Sequence, residues 1–354
     1  MKAILLAGGF GTRLRPLTLN TPKPIVPIFD RPFLYYQIDV LKRLPEIKEV
    51  ILSMNYQPQR IQTAIGDGQE IGLPIRYLVE PSPRGTGGAV KFAEPFLDDT
   101  TIVFNGDVLC QIDIAAVLRL HRERRAKATI VLVPVDNPMA YGLVETDGEG
   151  NVRQFLEKPK PDEITCNTIN AGVYILEPDT FDRIPPHTKY SIERTYFPSL
   201  IDGGETFLAY IHKGYWLDIG TPQSYVQAHR DIMSGRCDAW PFADREVGEV
   251  VVEADVDLDP RAQIDGPCFI GSGAVIKAGA RIAPYAVIGR RSVIESDALI
   301  DSTIVWPESV VGAGSTLRNA IIGQHCRIED HAHLGSGVIL GDGSIVTSYT
   351  TIVE

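Results

Sequence analysis

An aliphatic residue recurs at every sixth position near the end of this chain. The unbroken series has nine members: Val252, Leu258, Ile264, Ile270, Ile276, Ile282, Ile288, Ile294 and Ile300. If about a quarter of positions were aliphatic by chance, nine in succession would occur on the order of once in a hundred thousand tries, so the repeat reflects structure. A fixed period of this kind is typical of stacked repeat architectures, in which each repeat packs against its neighbours.

A small residue stands two places before the later members of the series. The set is Ala262, Cys268, Ala274, Ala280, Ala286, Ser292 and Ala298. One aliphatic and one small side chain per hexad suit the inside of a narrow solenoid with flat faces, tight corners and stacked parallel strands. The phase slips near Trp306, slips again after Leu317, and resumes as Ile322, Ile328, Leu334 and Leu340. We interpret both slips as loops or corner adjustments within one solenoid, predicted over residues 251–354 after a linker at 236–250.

Residues 1–235 show another pattern, in which short aliphatic runs alternate with amphipathic stretches. The main predicted strands are 3–7, 50–54, 102–105, 129–135 and 171–176, and the predicted helices include 33–42, 114–125 and 222–233. Strands that alternate with helices indicate a largely parallel sheet with both faces covered. In such sheets the ligand binds at the carboxyl ends of the strands.

The composition limits which cellular compartment and which binding partners we expect for this protein. The net charge is −11 and no basic stripe is present, which disfavours nucleic-acid binding. We expect a cytoplasmic protein without a membrane span or a secretion signal, because no stretch of about 18 apolar residues and no charged, then apolar, start is found. The cysteines lack a CxxC spacing and are interpreted as buried thiols: Cys110, Cys166, Cys237, Cys268 and Cys326.

The first predicted strand leads into the loop Gly8-Gly9-Phe10-Gly11-Thr12-Arg13. Glycines let the backbone approach an anion and present N–H donors to it. The spacing fits neither the Walker phosphate loop nor the dinucleotide fingerprint. Lys23 lies between Pro22 and Pro24, which restrict its backbone, so its ammonium can be aimed with little loss of entropy. Together these features indicate a phosphate site, although each alone also fits an ordinary surface turn.

Two aspartates follow hydrophobic runs. Asp107 ends the sequence Asn105-Gly106-Asp107, and Asp218 precedes Thr221-Pro222, which has the form of a helix N-cap and first position. Mg²⁺ prefers carboxylate oxygen and shares its shell with phosphates, so both aspartates could converge on one metal ion. A polar turn and support of the helix cap are the alternatives.

A third group lies in the middle of the chain. Glu157 can accept hydrogen bonds from sugar hydroxyls, Lys158 can hold a phosphate, and Asn170 offers both a donor and an acceptor to a polyol. A solvated Glu–Lys pair on the surface is the alternative.

These motifs together resemble the sugar-1-phosphate nucleotidyltransferases, or nucleotide-sugar pyrophosphorylases. The resemblance rests on residues 8–13, 22–24, 85–88, 105–107, 157–159, 170–172 and 216–220. It spans almost the whole chain, because several members carry a left-handed β-helix of hexapeptide repeats. The stretches GGFGTRLRPLT, INAGVYIL and SIERTYFP are most similar to the mannose-1-phosphate guanylyltransferase branch. That branch usually has serine at the position of Gly106, which fits other branches as well. Residues 84–90 resemble heptose-1-phosphate guanylyltransferases and some uridylyltransferases.

The resemblance implies an α/β fold, with a Rossmann-like domain on a mixed, mostly parallel sheet followed by a left-handed parallel β-helix. It implies transfer of a nucleotidyl group from an NTP to a sugar 1-phosphate with release of pyrophosphate. GTP and mannose 1-phosphate are the first expectation; uridylyl or thymidylyl transfer to glucose 1-phosphate and guanylyl transfer to heptose 1-phosphate stay open. Mg²⁺ is the implied cofactor, and a homo-oligomer is expected with the β-helix as candidate contact.

The resemblance also implies residue roles. Arg13 would hold the leaving pyrophosphate and Lys23 the α-phosphate, while Asp107 and Asp218 would bind Mg²⁺. Lys158 would hold the sugar phosphate. Sugar hydroxyls would contact Gly142, Glu157 and Asn170, and the nucleotide would be bordered by Leu6, Gly8, Gly9, Gly11, Thr12, Glu80, Gly85 and Thr86.

Two other functions are compatible with parts of the chain. Hexapeptide solenoids also occur in acyltransferases that use a histidine base, and the candidates here are His325, His331 and His333. His331 and His333 are predicted to alternate in a strand, so they would share one face and point to solvent. A regulatory paralogue without activity is the other alternative. Every charged residue implied for catalysis is present, which favours an enzyme.

Overall fold

A computed structural model describes residues 1–353. They form two compact units, the first comprising Met1–Phe10 and Leu34–Asp218 and the second comprising Gly11–Phe33 and the chain from Ile219 onward. The domain limits predicted from the sequence stay a prediction. The division into units shows that Gly11–Phe33, which carries part of the predicted phosphate site, packs with the solenoid.

The elements before the solenoid follow the predicted alternation. In chain order they are β1 (Lys2–Leu6), β2 (Pro27–Ile28), β3 (Arg31–Pro32), α1 (Phe33–Lys42), β4 (Glu49–Met54), α2 (Pro58–Ile65), β5 (Ile75–Val79), α3 (Gly85–Ala93), β6 (Thr101–Asn105), β7 (Val108–Cys110), α4 (Ile114–Glu123), β8 (Ala128–Pro134), β9 (Gly142–Thr146), β10 (Val152–Glu157), β11 (Thr168–Leu176), α5 (Phe197–Asp202), β12 (Phe207–Ile211), β13 (Trp216–Asp218) and α6 (Pro222–Met233). The predicted strands and helices are all found, most with ends shifted by one to three residues.

The first unit is built on a mixed sheet, as predicted. Strands β5, β4, β1 and β6 are parallel neighbours, and β8 pairs in parallel with β12. Between these two groups lies β11, which is antiparallel to β6, β8 and β9. Apolar side chains from the sheet, such as Ile4, Val103 and Ile130, are fully buried in one core cluster. The sheet therefore holds the carboxyl ends of β1, β4 and β6 side by side.

The second unit contains the solenoid. Its strands are β14 (Val250–Val252), β15 (Asp257–Leu258), β16 (Gln263–Ile264), β17 (Cys268–Ile270), β18 (Val275–Ile276), β19 (Arg281–Ile282), β20 (Val287–Ile288), β21 (Val293–Ile294), β22 (Leu299–Asp301), β23 (Ile304–Val305), β24 (Val310–Val311), β25 (Thr316–Arg318), β26 (Ile321–Ile322), β27 (Arg327–Ile328), β28 (His333–Leu334), β29 (Ile339–Leu340), β30 (Ile345–Val346) and β31 (Thr351–Ile352). Over the described residues they form three parallel sheets of six strands, one strand from each coil. Most of the predicted aliphatic and small residues fill the interior. Val252 and Leu258, the first two members of the aliphatic series, are exposed in the first coil, so the prediction is wrong for them.

The two phase slips are coils that are one residue shorter than the others. Val250 pairs with Cys268, eighteen residues later, whereas Val287 pairs with Ile304 and Ile304 with Ile321, each seventeen residues later. The solenoid continues through both slips, as the sequence predicted.

One prediction about the solenoid is wrong. His331 is not in a strand, because β28 contains only His333 and Leu334. His331 lies in a corner with φ of +58°, and its ring stacks on Tyr349 with centroids 5.0 Å apart. Both histidines are exposed. Across residues 1–353, no helix is long and apolar enough to cross a membrane.

Candidate functional site

The glycine-rich loop of the first unit starts where β1 ends. The Cα of Leu6 has Ser53 on β4 and Asn105 on β6 as its neighbours. A Cβ on Gly8 would lie 3.5 Å from the backbone nitrogen of Asn55, whereas Gly9 is open to its surroundings. The loop thus emerges between two parallel strands, where a ligand of the sheet is expected.

Glu80 is buried beside this loop and holds the start of α3. Its Oε1 accepts a hydrogen bond of 2.9 Å from Ser53 Oγ, and its Oε2 accepts one of 2.9 Å from the backbone N–H of Arg84. The carboxylate therefore fixes the turn that leads to Gly85 and Thr86.

The first turn of α3 is fastened to a distant segment of the chain. Gly85 has φ of +73°, and the N–H of Gly87 donates to the carbonyl of Tyr190 over 2.9 Å. Thr86 Oγ1 donates to Glu193 Oε2 over 2.7 Å and accepts from the N–H of Ile192 over 2.9 Å. Glu193 lies in a π-helical turn, Ile192–Tyr196, a feature that occurs frequently at functional sites.

The two predicted metal ligands lie on adjacent segments of the chain. Asp107 is in the turn between β6 and β7, and β13 is antiparallel to β7 with Asp218 opposite Val108. Cα atoms of opposing residues in an antiparallel pair are about 5 Å apart, so the two aspartates begin from adjacent backbone positions. A side chain at Gly106 would collide with the carbonyl of Leu6, which explains the glycine in this turn.

This donor set suits Mg²⁺, which proteins commonly hold through one or two carboxylates, with phosphates and water completing the shell. Within residues 1–353, no group of three or more His, Cys, Asp or Glu side chains could hold a metal ion. A metal ion at Asp107 and Asp218 would therefore take further ligands from water and substrate.

Asn170 lies in a β-bulge next to this turn. The register of β11 against β8 shifts between Asn170 and Tyr174. Asn170 Oδ1 accepts a 2.8 Å hydrogen bond from the N–H of Gly172, and its Nδ2 donates to the buried Tyr174 hydroxyl over 2.8 Å. Asn105 Nδ2 approaches the same hydroxyl at 3.3 Å. Asn170 thus shapes the bulge, and its remaining donor and acceptor capacity is what a sugar could use.

Glu157 ends β10 opposite Gly142. A Cβ on Gly142 would come within 2.6 Å of Phe155 Cζ and 3.0 Å of Glu157 Oε2, so the site needs glycine there. Burial raises the pKa of Glu157, the charge of Glu193 adds to this, and Lys158 and Arg194 oppose it.

Lys158 is exposed at the following position with φ of +55°. Its N–H donates to the carbonyl of Tyr141 over 3.0 Å. A left-handed backbone is uncommon for lysine and is found most often where the surroundings impose it, as at ligand sites.

The second unit carries the other predicted phosphate ligands. Gly11 has φ of +61°, and a Cβ there would lie 3.2 Å from Lys23 Cβ. Thr12–Leu14 form a short 3₁₀ turn that exposes Thr12 and Arg13. The guanidinium of Arg13 lies against Gly220, where a Cβ would be 2.6 Å from Nη2. Lys23 is buried at the start of another 3₁₀ turn, after Pro22 with φ of −52°.

Three residues that shape the site were not predicted from the sequence. Gln37 is buried, and its Nε2 donates to the carbonyls of Asn105 and Val108 over 2.8 and 2.9 Å, which bracket Asp107. Glu193 and Tyr174 are the others. A signal existed for Gln37, because it is a polar residue among apolar ones in the predicted helix 33–42, and Glu193 lies within SIERTYFP.

A mixed α/β sheet carries a glycine-rich loop after β1 and sets Asp107, before β7, beside Asp218 at the end of β13, which is the arrangement that a metal-assisted phosphate site requires. The family model described as nucleotidyl transferase matches residues 2–235, and the model described as the EIF2B subunit epsilon LbH domain matches residues 248–352. This chain belongs to the nucleotidyl transferase family, and the predicted membership among the sugar-1-phosphate nucleotidyltransferases is confirmed. Members of this family generally use a divalent metal ion.

Individual relatives extend the likeness over most of the chain. A mannose-1-phosphate guanylyltransferase of Mycobacterium tuberculosis is 41% identical over 283 residues, which cover 79% of this chain and 77% of the relative. A UTP–glucose-1-phosphate uridylyltransferase of Synechocystis is 33% identical over 358 residues, covering 96% and 87%. The crystal structure of HddC from Yersinia pseudotuberculosis complexed with GMP-PN is 31% identical with a TM-score of 0.55, and the match covers 64% of this chain and 97% of that one.

Proposed function

We propose that this protein transfers the guanylyl group of GTP to mannose 1-phosphate and so forms GDP-mannose and pyrophosphate. The observation that carries the proposal is the pairing of β13 with β7, which sets Asp218 beside the turn of Asp107, in a chain 41% identical to a mannose-1-phosphate guanylyltransferase. HddC, a similar protein, was crystallised in complex with GMP-PN, which supports a guanine nucleotide as the substrate of this protein.

The reaction needs little from the protein besides positioning and charge neutralisation. A phosphate monoester is an adequate nucleophile, so no strong base is needed to activate it. Its oxygen attacks the α-phosphorus in line, and the bond from the α-phosphorus to the leaving pyrophosphate breaks. Lys158 holds the sugar phosphate, Lys23 neutralises the α-phosphate, and Arg13 stabilises the leaving pyrophosphate.

The remaining residues position the substrates. Asp107 and Asp218 would hold Mg²⁺, which supplies positive charge to the phosphates when bound. Glu157, Asn170 and the open face of Gly142 contact the sugar. The nucleotide is bordered by Leu6, Gly8, Gly9, Gly11, Thr12, Glu80, Gly85 and Thr86.

Uridylyl transfer to glucose 1-phosphate is a second candidate. It is favoured by the Synechocystis uridylyltransferase, which matches nearly the whole chain, although at a lower identity of 33%. A few hydrogen bonds decide between guanine and uracil, because an unpaired polar group in the pocket costs roughly 1–3 kcal/mol.

One experiment separates these functions. Pyrophosphate release is measured for GTP, UTP, dTTP, ATP and CTP, each with mannose, glucose and heptose 1-phosphate. The expected maximum is GTP with mannose 1-phosphate, and a maximum with UTP and glucose 1-phosphate would select the second candidate. Asp218→Asn should abolish nearly all turnover with little effect on folding, and a variant as active as wild type would refute the metal assignment.

We also propose that the protein forms a homo-oligomer through the last coil of the solenoid. Strands β29, β30 and β31 pair with the preceding coil on one side. Several large apolar side chains of this coil are exposed: Ile345, Tyr349, Ile352 and Val353. An apolar coil end of this kind is a surface that solenoids cover with a cap or a partner.

A further inference from the structure

The segment Gly11–Phe33, which contains Arg13 and Lys23, lies along one row of solenoid corners. The first contact is with the last coil. Thr21 Oγ1 donates a 3.1 Å hydrogen bond to Asp342 Oδ2. A Cβ on Gly341 would lie 3.2 Å from Pro16 Cβ, so Pro16 packs directly on this corner. These contacts flank Lys23 on its N-terminal side.

A second contact is with corners of the same row three and four coils earlier, after β20 and β17. The backbone N–H of Arg290 donates to Asp30 Oδ1 over 3.0 Å. A side chain at Gly271 would collide with the Asp30 carboxylate, so this corner admits Asp30 only because it carries glycine. The ring of Phe29 packs on Phe269 with centroids 5.3 Å apart. These contacts flank Lys23 on its C-terminal side.

Helix α6 supplies a third contact. The Trp306 indole donates to the Tyr225 hydroxyl over 2.8 Å, and that hydroxyl donates to the carbonyl of Pro27. His229, one turn further along α6, accepts from the N–H of Phe29 over 3.1 Å. Burial lowers the pKa of His229 to about 4, which keeps its ring neutral and able to accept this bond.

We infer that the solenoid is a positioning element for the phosphate-binding segment, with Asp342 and Thr21 as positioning residues for Arg13 and Lys23. The corners that make these contacts follow strands of a single sheet, in the order β17, β20, β23 and β29. The segment is therefore held by corners of one sheet on both sides of Lys23, and by α6 at Pro27 and Phe29. Loss of the contact between Thr21 and Asp342 would displace the charged side chains of Arg13 and Lys23. A displacement of about 1 Å can reduce the rate of a reaction by about a hundredfold. This inference rests on the proposed function for the roles of Arg13 and Lys23.

The chain contains a matched control for Asp342. Asp330 occupies the equivalent corner of a neighbouring row, and its Oδ1 accepts from the N–H of Ala313 over 2.8 Å, as Asp342 Oδ1 does from the N–H of Gln324 over 3.1 Å. Both carboxylates thus tie one coil to the preceding one. Of the two, Asp342 also accepts the hydrogen bond from Thr21. The variants Asp342→Ala and Asp330→Ala consequently share the loss of one bond between coils. Asp342→Ala also loses the bond from Thr21 and a 3.4 Å bond from Gln324 Nε2, so Thr21→Val is the variant that removes the contact with the segment alone.

The kinetic test uses the full-length protein in the direction of pyrophosphorolysis. Asp342→Ala and Thr21→Val should raise the apparent KM for pyrophosphate about tenfold, because Arg13 is displaced, and should lower kcat about tenfold, because Lys23 no longer lies correctly against the α-phosphate. Asp330→Ala should change neither constant. Thr21→Val lies outside the solenoid, so it keeps the test valid if Asp342→Ala folds poorly. Equal pyrophosphate KM values in Asp342→Ala, Thr21→Val and Asp330→Ala would overturn the inference.

A second measurement is independent of turnover. Amide hydrogen exchange of residues 11–33 should be faster in Asp342→Ala and in Thr21→Val than in wild type, and unchanged in Asp330→Ala. Unchanged exchange in the first two variants would overturn the inference. If the wild-type protein showed no pyrophosphate release with any substrate pair, the proposed function would fail, whereas the exchange experiment would still decide whether the solenoid fastens the segment.

Discussion

At the scale of single residues, the surroundings of Glu157 change the pKa of its carboxyl group. The carboxyl group of Glu157 can accept hydrogen bonds from sugar hydroxyls through both of its oxygens when it is ionised, yet burial and the charge of Glu193 raise its pKa. Lys158 and Arg194 act against that rise. Ionisation of Glu157 is thus sensitive to the neighbouring charges.

Glu193→Gln should extend activity to lower pH. The variant removes the negative charge that raises the pKa of Glu157, so the carboxylate stays ionised further into the acidic range, while the amide oxygen can still accept from Thr86. The measurement is kcat/KM for mannose 1-phosphate against pH, whose acidic limb should move downward. Glu149→Gln, at an exposed turn, is the control. An acidic limb that stays in place or moves upward in Glu193→Gln would contradict this account.

The candidate site was only partly predictable at this scale. Residues at strand ends next to a glycine or a proline, such as Asp107 after Gly106 and Lys158 before Pro159, were predicted because local sequence marks both the turn and the charge. Gln37 was not, because its importance depends on which carbonyls α1 meets after folding. The sequence shows that Gln37 is a polar residue in an apolar helix, but it does not show the partners of a non-local hydrogen bond.

At the scale of elements, the predictions were best where a local signal marks the ends. Helix α6 begins at Pro222 as predicted, because Thr221 accepts from the N–H of Ser224. Strands β7 and β13 were missed, since three residues are too few to show a period. The hexads predicted the solenoid because each repeat packs only on its neighbours.

Thr221→Ala should destabilise α6. Thr221 Oγ1 accepts from the N–H of Ser224 over 3.2 Å, and the N–H of Thr221 donates to Ser224 Oγ over 3.0 Å. Loss of the cap is expected to lower the free energy of unfolding by about 1 kcal/mol, measured from the midpoint in urea. Thr221→Ser retains the capping oxygen and should unfold at nearly the wild-type midpoint. Equal midpoints for the alanine and serine variants would show that the cap contributes nothing.

At the scale of the whole molecule, two segments that are far apart in the sequence belong to one structural unit. Gly11–Phe33 follows the first strand of the sheet, yet it packs in one unit with the chain from Ile219 onward. A sequence cannot show this, because Thr21 and Asp342 are separated by 321 residues and no periodicity relates them. Two segments predicted to have separate tasks, phosphate binding and assembly, are therefore parts of one structural unit.

Assembly can be tested on the last coil. Ile345 and Tyr349 are 67% and 75% exposed. The double variant Ile345→Glu with Tyr349→Glu should dissociate the oligomer, because a carboxylate taken from water into an apolar contact is costly unless it is paired. Light scattering coupled to size exclusion should give the mass of a multimer for wild type and a mass near 38.9 kDa for the variant. Val247→Glu, an equally exposed apolar position before the first coil, should leave the mass unchanged. A wild-type protein that is monomeric, or a double variant that keeps its multimeric mass, would exclude the last coil as the contact.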